Sequence, residues 1–114
     1  MNRIYNISYL EEISGGDQVF ILEMLSDFIN QAPDVVDTIK KHSKSKEYSL
    51  LYATIHRFAP NFDYVGNSDL KLNVNLLEGA SKHLRNIENI ESYIENIENL
   101  SLQIIENIKK DFNL

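Results

Sequence analysis

The apolar residues of this chain recur at helical spacing along most of its length, and this periodicity is the feature that most restricts the fold. In the clearest segment they are three or four positions apart, as on one face of an α-helix. These residues are Ile21, Leu25, Phe28, Ala32, Val36 and Ile39. No Asn-Gly or Asp-Gly pair marks a hairpin. The periodicity therefore predicts an all-α protein.

Capping and turn residues divide the first part of this pattern into two predicted helices. A capping-box pattern at Ser8 and Glu11 begins a helix of one or two turns, which the glycine pair at 15–16 ends. The second helix is predicted from about 18 to 44. Pro33 lies inside it without changing the phase of the apolar residues, so we expect a kinked but continuous helix.

Three more helices are predicted in the rest of the chain. The third carries an apolar stripe that ends at Val65, and Gly66 follows as its C-terminal cap. The fourth helix is capped by Asn67 or Ser68, and the fifth runs from about 89 to 111. The residues predicted to point inward from the fourth helix are Leu70, Val74, Leu77 and Leu84.

The chain length and the short connections predict how these helices are arranged. A chain of 114 residues is large enough for one continuous core, so we predict that residues 1–114 form a single domain. Four long helices with short connections favour an antiparallel up-down-up-down four-helix bundle. The short N-terminal helix is expected to pack across it.

The charge and the composition argue against several classes of partner. A formal net charge of −6 disfavours nucleic acid, because binding to phosphates needs a basic face. The basic run at 40–46 is interpreted as cationic side chains at a helix C-terminus, and a contact with an anion or a partner is the alternative. No apolar run approaches the roughly 18 residues of a membrane helix, the N-terminus lacks a secretory signal, and cysteine is absent. We therefore expect a cytoplasmic monomer that binds neither nucleic acid nor membrane.

The stretch ATIHRFAPNF, residues 53–62, contains the candidate functional residue. His56 is displaced from the buried stripe, about 100° around the helix from Ile55, so its ring is predicted to be at least partly in water. Pro60 has no N–H to bond the carbonyl of His56, which costs about 3 kcal/mol inside a helix. We interpret Pro60 as a residue that leaves the ring accessible, and a proline kink without function is the alternative. His42 and His83 are interpreted as solvated residues outside any metal-ligand spacing.

A spaced set of residues follows His56 and suggests a family. Gly66 lies ten residues after the histidine, Leu70 fourteen, and the pair Leu77 and Glu78 twenty-one and twenty-two. Two further features are the LEEISGGD opening at 10–17 and the Leu-x-x-Phe of the second helix, which is Leu25 and Phe28. Together with the spaced set, they resemble the histidine-containing phosphotransfer (HPt) domain. That family is a four-helix bundle that carries a phosphoryl group on histidine between receiver domains. The resemblance spans nearly the whole chain.

The chain departs from the family pattern H-x-L-K-G-S next to the histidine. The leucine of the pattern is Phe58, its lysine is Ala59 and its glycine is Pro60. In the family the lysine offers positive charge to the phosphoryl group. Arg57 is the candidate replacement, although it projects about 100° away from the histidine. Pro60 retains what the glycine provides, which is the absence of a long side chain over the ring.

The resemblance implies a phosphocarrier rather than a turnover enzyme. His56 would accept and donate the phosphoryl group, and Glu78 would orient its imidazole; a solvated carboxylate is the alternative for Glu78. The implied partner is a response-regulator receiver domain or a hybrid histidine kinase. Its docking face is predicted at Ala53, Ala59, Pro60, Gln31 and Asp34.

The resemblance implies no cofactor and no metal on this chain, with Mg²⁺ only on the receiver. A second hypothesis is a degenerate HPt-like module that binds a receiver without efficient phosphotransfer, which the missing lysine favours. A third, a helical adaptor without a receiver partner, would be preferred if His56 were buried.

Overall fold

The computed structural model describes residues 4–114, and in this part of the chain it contains five α-helices and no strand. The helices are α1 (Ser8–Ser14), α2 (Gln18–Lys44), α3 (Tyr48–Asp63), α4 (Ser68–His83) and α5 (Ile90–Phe112), and a 3-10 turn at Ile87–Asn89 precedes α5. The predictions of an all-α protein and of a short first helix are confirmed. The bounds of α2 are those predicted from its periodicity and its cap, and the helix continues through Pro33.

Side-chain caps explain where two of the long helices begin. Asp17 accepts hydrogen bonds from the backbone N–H groups of Val19 and Phe20, at 3.0 and 3.3 Å. Asn67 accepts one from the N–H of Leu70 at 2.8 Å. Each cap satisfies N–H groups that the first turn of a helix leaves without a partner.

The predicted capping box of α1 is wrong. Ser8 is already the first helical residue, and its own backbone N–H donates to the side-chain carbonyl of Asn6 at 3.1 Å. The N-cap is therefore Ile7, one residue earlier than the sequence pattern indicated, and its side chain makes no capping hydrogen bond. The end of α1 is as predicted, with Gly15 in the left-handed conformation at φ 64°.

The long helices bury their apolar faces in one shared core. α2 packs against α3 and α5, and α4 packs against the same two helices, so each long helix contacts two others. The predicted stripes of α2 and α3 are buried without exception. In the described part of the chain, every helix is too short or too polar to span a lipid bilayer.

One residue predicted to point inward lies at the surface. Leu84 follows the last residue of α4 in a left-handed conformation, at φ 53°, and is 63% exposed. Because the helix ends at His83, the period that places Leu77 in the core no longer applies at position 84. Ala80 and Ser81 are buried in the last turn of α4 instead.

The turn between α3 and α4 is fixed by the segment that precedes α1. The N–H of Asn6 donates to the carbonyl of Val65 at 3.0 Å, and its side-chain amide donates to the carbonyl of Gly66 at 3.2 Å. Gly66 has φ 60°, and a Cβ at this position would lie 2.7 Å from Oδ1 of Asn6. Only glycine meets both conditions without strain. This turn sets which residues of α3 and α4 face each other.

Candidate functional site

His56 is on the outer surface of α3, and 63% of its side chain is exposed. The neighbouring Ile55 is fully buried and holds this part of the helix against the core. α3 continues through Pro60 to Asp63, so the proline interrupts the hydrogen bonding of the helix at the histidine carbonyl without ending the helix. The ring is therefore accessible on a helix that the core keeps in place.

Glu78 of α4 is beside the imidazole, where the sequence placed it. Its Oε2 lies 3.6 Å from Nδ1 of His56, and its side chain is 24% exposed. This separation exceeds the roughly 2.7–3.2 Å of an N–H···O hydrogen bond, so the contact in this structure is electrostatic. A carboxylate nearest Nδ1 favours the tautomer with its proton on that atom. Nε2 then carries the free lone pair.

Tyr52 covers part of the imidazole from within the same helix. The two rings are stacked, with centroids 5.2 Å apart and planes 19° apart. Residues four apart lie on one face of a helix, which brings the rings together. Such pairs contribute about 0.5–1.5 kcal/mol beyond the area they bury. The exposed imidazole therefore has a preferred orientation rather than free rotation.

Lys82 contributes a cation that the sequence analysis did not single out. Its Nζ lies 5.7 Å from the centroid of the Tyr52 ring, within the range of a cation–π contact. Lys82 is also four residues after Glu78 on α4, so both project from the same face of that helix. This spacing is the signal in the sequence that could have identified Lys82.

These side chains surround an open surface pocket of about 380 Å³ between α3 and α4. Its lining includes Tyr52, His56, Glu78, Gly79, Lys82 and His83. Within residues 4–114 there is no cluster of three or more metal-ligating side chains that could hold a metal ion. The pocket thus combines one exposed imidazole, one carboxylate and one ammonium, together with a second histidine.

The residues predicted to form a docking face are on the outside of α2 and α3, which pack against each other. Ala53, Pro60, Gln31 and Asp34 are exposed. Ala59 differs from them, because it is half-buried and packs against the core. Position 59 is thus closer to the core than its place outside the apolar stripe indicated.

Arg57 is exposed and follows His56 on α3. Successive helical residues project about 100° apart, so the guanidinium leaves the helix in a different direction from the imidazole. The residues that line the pocket beside His56 include Lys82 and not Arg57.

The arrangement is suited to nucleophilic chemistry at one nitrogen. A neutral imidazole is a nucleophile at neutral pH, and a carboxylate beside its other nitrogen supports the positive charge that the ring acquires on attack. Comparisons with protein-family models, curated proteins and solved structures gave no match to this chain.

Proposed function

We propose that this chain is an HPt domain, in which His56 accepts a phosphoryl group from a receiver domain and donates it to another. The observation that carries the proposal is the exposed imidazole of His56 beside the carboxylate of Glu78. Ala53 and Pro60 leave the approach to the ring open. The spacing from His56 to Gly66 and Glu78, which resembles the family pattern, supports the same function.

The proposal includes the arrangement of the helices as an antiparallel up-down-up-down bundle, with α1 packed across it. The contacts of α2 and α4 with both α3 and α5 support this arrangement. The connections at 45–47, 64–67 and 84–89 are short, and short connections join antiparallel neighbours in such bundles. His56 and Glu78 then meet because each lies a similar distance from the turn at Gly66.

In the proposed reaction, the lone pair of Nε2 attacks the phosphorus of an aspartyl phosphate on the receiver. The new N–P bond forms as the P–O bond to the aspartate breaks, and the bonding electrons leave with the receiver carboxylate. The imidazole becomes a phospho-imidazolium that keeps its proton on Nδ1, beside the carboxylate of Glu78. Phosphoryl transfer depends mainly on alignment and charge stabilisation, and the receiver would supply the Mg²⁺.

A degenerate HPt-like module, which binds a receiver without efficient transfer, is the second candidate. It is favoured by Ala59, a half-buried methyl group where the family carries a lysine. The third hypothesis required a buried histidine, and the exposed ring of His56 argues against it.

The test is incubation of the full chain with phosphorylated receivers, followed by detection of acid-labile phosphohistidine. His56→Gln should abolish the signal with little change in thermal midpoint, because an exposed side chain contributes little to the core. His42→Gln, which removes a histidine that does not line the pocket, should be silent. Phosphate on the His56→Gln variant would reject the assignment, and receiver binding without transfer would support the degenerate module.

A further inference from the structure

The Tyr52 ring is in contact with two side chains of the His56 pocket that come from different helices. It stacks on the imidazole of His56, with a centroid separation of 5.2 Å, and it lies under the ammonium of Lys82, at 5.7 Å. Tyr52 is half-buried at the surface of α3 and is not part of the apolar core. Its contacts therefore belong to the pocket more than to the packing of the bundle.

We propose that Tyr52 is a positioning residue, which fixes the ring plane of His56 and holds Lys82 beside the phosphoryl group. Through this contact α4 supplies the positive charge that position 59 lacks. The inference rests on the proposed phosphotransfer at His56, and it names the residues that make that site competent.

The charges in the pocket are complementary to a phosphorylated imidazole. Glu78 lies next to Nδ1, where the ring carries positive charge after Nε2 has attacked. Lys82 follows Glu78 by one helical turn, so one face of α4 presents a carboxylate and then an ammonium along the pocket. The carboxylate stabilises the positive charge of the ring, and the ammonium stabilises the negative phosphoryl oxygens.

At an exposed site, a lysine needs a second contact to keep its ammonium beside the phosphoryl oxygens. Its ammonium is carried on a flexible four-carbon chain and is strongly hydrated, so an unrestrained lysine spends little time in one position. The aromatic face of Tyr52 limits this freedom through its cation–π contact. The same ring also limits rotation of the imidazole about its side-chain bonds, so one residue orients both the nucleophile and the cation.

The first experiment uses phosphoramidate, a small phosphodonor that needs no receiver. Its P–N bond to ammonia breaks as the P–N bond to the imidazole forms, and ³¹P NMR distinguishes phosphate on Nε2 from phosphate on Nδ1. Tyr52→Phe keeps the ring and should retain both the rate and the Nε2 product. Tyr52→Leu should lower the rate about threefold or more and yield a mixture of the two products. A purely structural role would change folding stability without changing the site of phosphorylation.

The second experiment tests Lys82 by transfer from a phosphorylated receiver in single turnover. Lys82→Met should slow transfer about tenfold, less than the 10²–10³-fold typical of a donor in a dry site, because water screens an exposed cation. Lys71→Met is the matched control, since it removes a lysine from the same helix that pairs instead with Asp63, at 3.6 Å. Tyr52→Leu added to Lys82→Met should slow transfer less than the two separate effects multiplied together, because the residues act as a unit.

The outcomes separate this inference from the proposed function. Unchanged rate and product in Tyr52→Leu, or fully additive effects of Tyr52 and Lys82, would overturn the inference even if receivers phosphorylate His56 normally. Conversely, a Tyr52-dependent reaction with phosphoramidate, without transfer from any receiver, would reject the phosphorelay function alone. A wild-type imidazole that phosphoramidate does not modify would reject both.

Discussion

Nδ1 of His56 and Oε2 of Glu78 lie 3.6 Å apart across the contact between α3 and α4, although the two residues are far apart in the sequence. The pairing follows from the turn between these helices, which Gly66 and Asn6 hold in one conformation. It places a carboxylate beside Nδ1 of an imidazole whose side chain is 63% exposed.

Glu78→Gln should slow phosphoryl transfer about fivefold. The amide has the same shape but carries no charge, and a charged partner is worth about 1 kcal/mol more than a neutral one. The side chain is partly exposed and its shape is conserved, so the free energy of unfolding should change by less than about 0.5 kcal/mol. Single-turnover rates and ¹⁵N NMR of the imidazole tautomer are the measurements. An unchanged rate and tautomer would mean that Glu78 is only a solvated carboxylate.

Ala53→Arg should weaken receiver binding about tenfold or more without unfolding the bundle. Ala53 is exposed on α3 near His56, and a long charged side chain there would obstruct a partner that approaches the ring. Binding can be measured by titration with a receiver domain, and helicity by circular dichroism. Lys109→Ala, at the far end of the chain on α5, is the control and should bind normally. Receiver-induced NMR shifts confined to α5 would contradict this docking face.

Two glycines should respond in opposite directions to substitution by alanine. Gly66→Ala should destabilise the fold by about 1–3 kcal/mol, because φ is 60° and the new Cβ would meet Asn6, including its backbone oxygen at 2.8 Å. Gly79→Ala should stabilise it by about 1 kcal/mol, since Gly79 is inside α4 with open space around the Cβ position. Denaturant midpoints measure both effects. Equal stability of Gly66→Ala and the wild type would show that the turn rearranges freely.

The parts of the fold that helical periodicity determines could be predicted from the sequence. The buried stripe of α2 and the exposure of His56 both follow from which residues share one helical face, whereas Glu78 was expected from its spacing after His56 in the family pattern. The prediction that Leu84 points inward was wrong, because a periodic pattern does not reveal the left-handed residue that ends a helix. The contact of Asn6 with Gly66 was missed because it joins distant segments without any periodic signal.

Lys82, the cation of the site, was not predicted from the sequence for a different reason. Arg57 was predicted to replace the family lysine because it is adjacent to His56 on α3. In the structure, the cation that lines the pocket is Lys82 on α4, whose ammonium lies over the ring of Tyr52. Lys82 follows Glu78 by four residues on α4, and this spacing becomes informative only once α4 is known to face α3 at the His56 pocket.

Ala59→Lys should recover most of the transfer rate lost in Lys82→Met, a gain of about tenfold, and should accelerate the wild type less. Both lysines would place an ammonium near the phosphoryl group, so the second adds little once the first is present. Ala59 is half-buried, but a lysine can keep its stem against the core with its ammonium in water, so stability should change little. The measurement is the single-turnover rate in all four combinations against one receiver, with binding affinity determined separately. If Ala59→Lys raised the transfer rate equally in the wild type and in Lys82→Met, at equal binding affinity, Lys82 would not be the residue that stabilises the phosphoryl group.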